Sequence, residues 1–162
     1  MEIREFTSQD AESAARLYIQ SAEHHAELDP DFYRVPALED VVAHYQDMAK
    51  RIKTEPFNCF VAESDEVMLG MVEVRISDQP SSHSMLRPRR IASADIVVDS
   101  GNRRQGIGRA LMQRAEEWAC DHGATSLMLD MLRANEPALA LYTALGYEDH
   151  GALLLKRRIS SG

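Results

Sequence analysis

The chain has 162 residues, with 26 Asp and Glu against 18 Lys and Arg, and so carries a formal charge of −8. At about 150 residues per domain that is one domain, residues 1–162, large enough for a layered core. The 44% hydrophobic and 27% charged fractions exclude a disordered or fibrous chain, and the acidic balance argues against a nucleic-acid binder, which needs basic stripes to neutralise phosphates.

The charge is unevenly spread. Residues 1–86 hold 17 acidic and 7 basic side chains, net −10, whereas residues 87–162 hold 9 and 11, net +2. One half suits a cationic partner and the other an anionic one. No apolar run is long enough to span a membrane, and the first residues, MEIREF, lack the apolar core of a signal peptide, so a cytoplasmic protein without membrane contact is expected. Cys59 and Cys120 are far apart and are expected to be buried thiols. The histidines form no HExxH or Cys/His cluster, and no metal is expected.

In chain order, Glu2 to Phe6 alternates as a short strand, and Thr7 or Ser8 with Asp10 can cap a helix over about 9–26, where Ala14, Leu17, Tyr18 and Ala22 recur at helical spacing. Leu28 to Pro36 holds two prolines and reads as a loop. A second helix is expected over 38–53, with Val41, Tyr45, Met48 and Ile52 on one side. The period then drops to two: 59–63 and 67–76 read as antiparallel strands around the turn Ser64-Asp65-Glu66, 77–89 as a polar loop, and 90–98 as a further strand. Helical periodicity returns over 102–122, with Ile107, Leu111, Ala115, Trp118 and Ala119 on one stripe. A strand over 126–132, a helix over 136–145 and a strand pair or bent strand over 147–158 complete an α/β (α+β) single-domain order without internal repeats.

The chemistry lies where Ile96-Val97-Val98 ends a strand and Arg103-Arg104-Gln105-Gly106-Ile107-Gly108-Arg109 leads into the long helix. A helix N-terminus offers backbone N–H groups without intrahelical partners and a partial positive charge. Glycines at 106 and 108 are expected to let a phosphate reach them, and three arginines add charge, which makes this stretch a pyrophosphate cradle. No Gly-Lys pair exists for a P-loop, and Leu111 stands where a dinucleotide fingerprint requires Gly or Ala.

Arg103, Gly106 and Gly108 match the cofactor motif (Arg or Gln)-x-x-Gly-x-(Gly or Ala), and Asn135, Ala138, Tyr142, Gly146 and Tyr147 match Asn-x-x-Ala-x-x-x-Tyr-x-x-x-Gly-(Phe or Tyr). In these motifs and their separation the sequence resembles the GCN5-related N-acetyltransferase (GNAT) superfamily. The resemblance implies a mixed, mostly antiparallel sheet, splayed at a bulge in the cofactor strand and flanked by helices. It implies acetyl-CoA as co-substrate, with pantetheine along the edge of Ile96, Val97 and Val98 and phosphates at residues 103–109. Tyr142 would be general acid toward the departing thiolate, and Asn135 would contact cofactor or only cap the helix beside Pro137.

The general base is open. Family members often carry a carboxylate at positions matching Ala92 or Ala94, and neither alanine can act. Asp95 is adjacent, but alternation aims it to the opposite face unless a bulge shifts the register; Glu73, Asp130 and ordered water are rivals. The resemblance places acceptor recognition on the first two helices and their loop, where His24, His25, Glu27, Asp29, Asp31, Phe32 and Tyr33 could orient a cationic amine.

The expected function is therefore transfer of acetyl to a primary amine, on a small cationic molecule or a peptide. The alternatives are a CoA-binding regulatory module with little turnover, supported only by Ala92 and Ala94, and a protein N-terminal or lysine acetyltransferase. A homodimer through Leu153 to Arg158 is a further family arrangement that the resemblance implies.

Overall fold

The computed structural model describes residues 1–52, 54–79 and 89–151. Five strands form one sheet in the order β1 (Glu2–Glu5), β2 (Phe57–Ser64), β3 (Val67–Gln79), β4 (Arg89–Val98) and β5 (Ser126–Met128). Each neighbour pair is antiparallel except β4 and β5, which run parallel because helix α3 (Ile107–Asp121) crosses between them. Helices α1 (Ala11–Leu28) and α2 (Leu38–Arg51) lie between β1 and β2 in the chain, and α4 (Glu136–Ala144) follows β5.

Strand alternation sorts the core into two layers. Phe60, Ala62, Val72, Val74, Ile76, Ala92 and Ala94 face Ile107, Leu111, Met112 and Ala115 of α3. Cys59, Val61 and Met71 face Ala14 and Ala15 of α1 and Val41, Tyr45 and Met48 of α2. Each sheet face thus carries a helix-covered core, while Arg75, Ser93 and Asp95 stay exposed beside it.

Several boundaries differ from expectation for identifiable reasons. Residues Ser8–Asp10 form a 3-10 turn rather than the start of α1, because Asp10 accepts the Thr7 N–H at 2.7 Å and the Thr7 hydroxyl at 2.9 Å. α1 then runs on to Leu28, where Asp29 N–H closes on the His25 carbonyl ahead of Pro30. β3 continues to Gln79 through residues expected to be loop, since Ser77, Asp78 and Gln79 pair with Ile91, Arg90 and Arg89. β5 ends at Met128 rather than residue 132, which leaves Asp130 on irregular backbone. α3 starts at Ile107 rather than 102: Arg104 and Gly106 adopt φ of 65° and 82°, which breaks any helix before them. Residues 147–151 form no strand, and the expected dimer segment, Leu153 to Arg158, lies outside the described residues. Cys59 is buried as expected, but Cys120 is exposed, because it falls on the outer side of α3.

Candidate active site

β4 makes a clean split. It pairs with β3 along its whole length, in continuous register from Gln79↔Arg89 to Gly70↔Val98, whereas its pairing with β5 stops at Ser93↔Met128. Among the described residues no strand pairs with Ala94–Val98 on that side, so Ile96, Val97 and Val98 border an open edge. The expected bulge in β4 is absent; a register shift lies instead between Ala62 and Glu63 of β2. The splay comes from β5 ending early, not from an extra residue in β4.

The continuous register decides where the carboxylates point. Ala92 and Ala94 are buried against α3, and Asp95 occupies the opposite face, directly across from Glu73. The alternation that cast doubt on Asp95 is what puts it on the α1–α2 side, beside Glu73. A shallow pocket lined by Phe57, Glu73, Arg75, Ser93 and Asp95 opens there. Tyr45 of α2 donates its hydroxyl to Glu73 at 3.1 Å. Burial pushes the Glu73 carboxyl above its ordinary range, against the Tyr45 hydrogen bond, and the charge of Asp95 pushes it further. Asp95 is itself raised, by loss of water around it and by Asp130.

Tyr142 sits on α4, only 9% exposed, with its ring 5.8 Å from that of Tyr147. Burial and then the charge of Asp95 push its phenol up to about 12, so it is protonated at neutral pH. Tyr147 locks α4 onto α3 by donating its hydroxyl to Glu116 at 2.7 Å. Asn135 caps α4, its side-chain oxygen accepting the Ala138 N–H at 3.4 Å, which satisfies the capping reading of that residue.

The cradle is formed by backbone as much as by charge. The first bond inside α3 runs from Ala110 N–H to Gly106 C=O, so the N–H groups of Ile107, Gly108 and Arg109 have no carbonyl within the helix. Arg103, Arg104, Gln105 and Arg109 are exposed around them, and Arg103 Nε reaches the Val98 carbonyl at 3.5 Å. The two glycines act differently from each other. A Cβ at Gly106 would meet open space, and glycine is needed there for its left-handed backbone; a Cβ at Gly108 would come within 3.0 Å of Leu141 on α4, so that glycine serves packing rather than phosphate access. Open space at Gly106, free helix-terminal N–H groups and an unpaired strand edge fit a long, amide-bearing anion such as acetyl-CoA.

The residues expected to meet an acceptor lie at the end of α1 and just beyond it. His25 donates from Nδ1 to the Ser21 carbonyl at 2.7 Å, and its ring lies 5.2 Å from Tyr33, which in turn lies 5.0 Å from Phe32. His24 adjoins His25 at 6.2 Å. Phe32 is 55% exposed, Glu27 and Asp31 are exposed, and Asp29 is half-buried, its carbonyl accepting the Tyr33 N–H at 3.0 Å. The aromatic rings of His25, Tyr33 and Phe32 form one cluster at this end of α1. Sequence reasoning missed Tyr45 and Tyr18, whose rings are 6.3 Å apart and which join α1 to Glu73. Tyr45 was visible only as part of the α2 core stripe.

A split sheet with a helix-capped anion cradle at the gap is the architecture of a CoA-dependent acyltransferase. The chain belongs to the acetyltransferase (GNAT) family, whose model matches residues 14–147. It is 37% identical to N-acetyltransferase 8 of Homo sapiens over 106 residues, 65% of this chain and 45% of that protein. It is 40% identical to thialysine N-epsilon-acetyltransferase of Bos taurus over 68 residues, 42% of this chain and 40% of that one. The chain thus matches less than half the length of either relative. In fold it resembles a mutant of the BH1408 protein of Bacillus halodurans, at TM-score 0.86 and 24% identity over 96% of this chain and 98% of that one. It also resembles the aminoglycoside N-acetyltransferase AAC(6')-Iy in complex with CoA, at TM-score 0.72 and 18% identity over 97% and 93% of the two chains.

Proposed function

We propose that the protein transfers an acetyl group from acetyl-CoA to a primary amine, with Asp95 and Glu73 receiving the amine proton and Tyr142 acting as general acid. The observation that carries this reading is the position of Asp95. It faces Glu73 across the ladder, its charge reaches Tyr142, and it lies where β4 loses β5 as a partner. Bound acetyl-CoA supplies the acetyl thioester. An alkylammonium, with pKa about 10.4, must lose a proton before its nitrogen can attack. The raised carboxyls hold a proton more readily than ordinary ones, which suits them to take the first proton from the ammonium; the nitrogen then gives a second proton to solvent as the C–N bond forms and the C–S bond breaks. Tyr142, protonated at neutral pH, gives its hydroxyl proton to the departing sulfur and regains one from solvent.

The acidic pocket and the aromatic cluster His25, Phe32 and Tyr33 favour a cationic amine with a body that stacks. The relatives named for thialysine and for aminoglycosides support an amine acceptor. The alanines that prompted the regulatory reading face α3, on the side away from the carboxylates, so they say nothing against turnover. Thiol release from acetyl-CoA, measured across polyamines, aminoglycosides, amino acids and short peptides, tests the reading. Turnover with an amine supports it and assigns the acceptor class, small molecule or peptide; CoA binding without turnover of any amine would favour the regulatory module.

A further inference from the structure

Gln20 and Asp99 are 79 residues apart in sequence and hydrogen-bonded in the fold. Gln20, near the middle of α1, donates from Nε2 to Asp99 Oδ1 at 3.0 Å and accepts the Ser100 N–H on Oε1 at 3.2 Å. Asp99 follows β4 directly. Its other carboxylate oxygen accepts the Gly101 N–H at 3.0 Å and Asn102 Nδ2 at 2.7 Å, and its own N–H is held by the Leu69 carbonyl at 2.9 Å. The Gln20 bond leads the causes that hold the Asp99 carboxyl below its ordinary value. Every one of these contacts shapes the turn at residues 99–102, and that turn delivers the chain into Arg103 and the left-handed Arg104 and Gly106 of the cradle.

From this clamp we infer that Gln20 is a positioning residue for acetyl-CoA binding. It fixes the entry turn of the phosphate cradle against α1, the helix that also carries Tyr18 and His25 toward the acceptor side. The inference rests on the acetyl-CoA reading above, and extends it to a residue that touches neither the reacting atoms nor the cradle. Gln20 is half-buried and meets both a carboxylate and a backbone N–H of the same turn, so it couples α1 to that junction through two bonds. The complementarity is directional: an amide donates to a carboxylate, so exchanging the two groups preserves the bond, whereas Gln20→Glu alone leaves two acceptors facing each other.

The test is a reciprocal exchange, Gln20→Glu and Asp99→Asn, singly and together, in the full chain. Gln20→Glu sets two carboxylates against each other and should weaken CoA binding, measured by calorimetry, about tenfold, the equivalent of one hydrogen bond to a charged group. Amide exchange at residues 100–102, measured without ligand, should accelerate. The KM for acetyl-CoA should rise while kcat at saturation stays within about twofold, because only ground-state positioning is lost. In the double variant the new amide at position 99 donates to the new carboxylate at position 20, and both CoA affinity and amide protection should return to within about threefold of the original. Gln20→Leu, which removes both bonds without adding charge, makes the same test if Gln20→Glu does not fold. Unchanged exchange at 100–102 in every Gln20 variant would overturn the clamp. Faster exchange with unchanged CoA affinity would overturn its role in binding, as would a double variant no tighter than the weaker single. An original protein that binds no CoA, while its amides respond as described, would sink the acetyl-CoA reading and with it the positioning role, leaving only a structural contact.

Discussion

Glu73 stands directly opposite Asp95 in the β3–β4 ladder, and its half-buried carboxyl receives the Tyr45 hydroxyl at 3.1 Å. Like charges facing each other across a ladder are destabilising, and burial of one of them adds to the cost. Glu73 therefore binds its proton more tightly in the folded chain than in the unfolded one, where a glutamate titrates near 4.3. Between those two values the folded state holds the extra proton, so stability falls as pH rises through that window and stays lower at neutral pH. Glu73→Gln keeps an acceptor for Tyr45 and removes the charge. Its melting temperature should exceed that of the original protein at neutral pH, with the gap closing below about pH 4, while kcat/KM for the acceptor falls. A lower melting temperature at neutral pH would show that the charge is better compensated than its surroundings indicate.

Tyr142 gains its proton affinity from burial and from Asp95, so its role and its titration can be separated. Tyr142→Phe should lower kcat about 100-fold, the usual worth of a general acid, and leave CoA affinity nearly intact. Asp95→Asn should lower kcat by a similar factor, and ultraviolet titration should show the Tyr142 phenol ionising below its original value of about 12. An unmoved phenol titration would separate the two residues electrostatically, and an unchanged kcat in Tyr142→Phe would remove the acid.

Glycine at 108 is held by packing. A methyl group there would press the end of the Leu141 side chain on α4 at 3.0 Å, which must give by a few tenths of an ångström, and would meet Val98 at an ordinary 3.7 Å. Gly108→Ala should cost about 1–3 kcal/mol, the range for overpacking, and Leu141→Val in the same chain should recover part of it. Thermal unfolding of the two singles and the double measures the coupling; strict additivity would show that Leu141 yields without strain.

What was legible in the sequence was what local pattern controls. The stripe through Ile107, Leu111, Ala115 and Trp118 fixes α3 and its buried side, and the Arg103–Gly108 motif marks the cradle because a helix start is a local event. Alternation gives the face of Asp95 correctly, whereas the bulge expected from the resemblance is absent, because register depends on the β3–β4 pairing and has no signal within β4 itself. Tyr45 and Gln20 escaped notice for a related reason. Each has a partner, Glu73 or Asp99, that is brought close only when α1 and α2 fold back over the sheet, and periodicity records which side of a helix is buried but not what polar group it meets.

The segment around the end of α1, proposed to meet the acceptor, carries its weight in rings rather than in the charges that composition emphasises. Three carboxylates drew attention there, yet Glu27 and Asp31 are exposed, where water and salt screen a charge to well under 1 kcal/mol of directed attraction. Tyr33 is half-buried, with rings on either side: His25, itself tied to the Ser21 carbonyl, and Phe32. A ring held by its neighbours can orient an acceptor at little entropic cost, whereas an exposed carboxylate attracts at a distance with less orientation. Tyr33→Ala should therefore raise the acceptor KM about tenfold, and Glu27→Gln with Asp31→Asn should raise it no more than about threefold, with a steeper loss of the smaller effect in high salt. Steady-state kinetics with the best amine from the acceptor panel, at low and high ionic strength, decides between them. A larger effect from the paired amides than from Tyr33→Ala would return acceptor recognition to the charges and leave the aromatic cluster as packing.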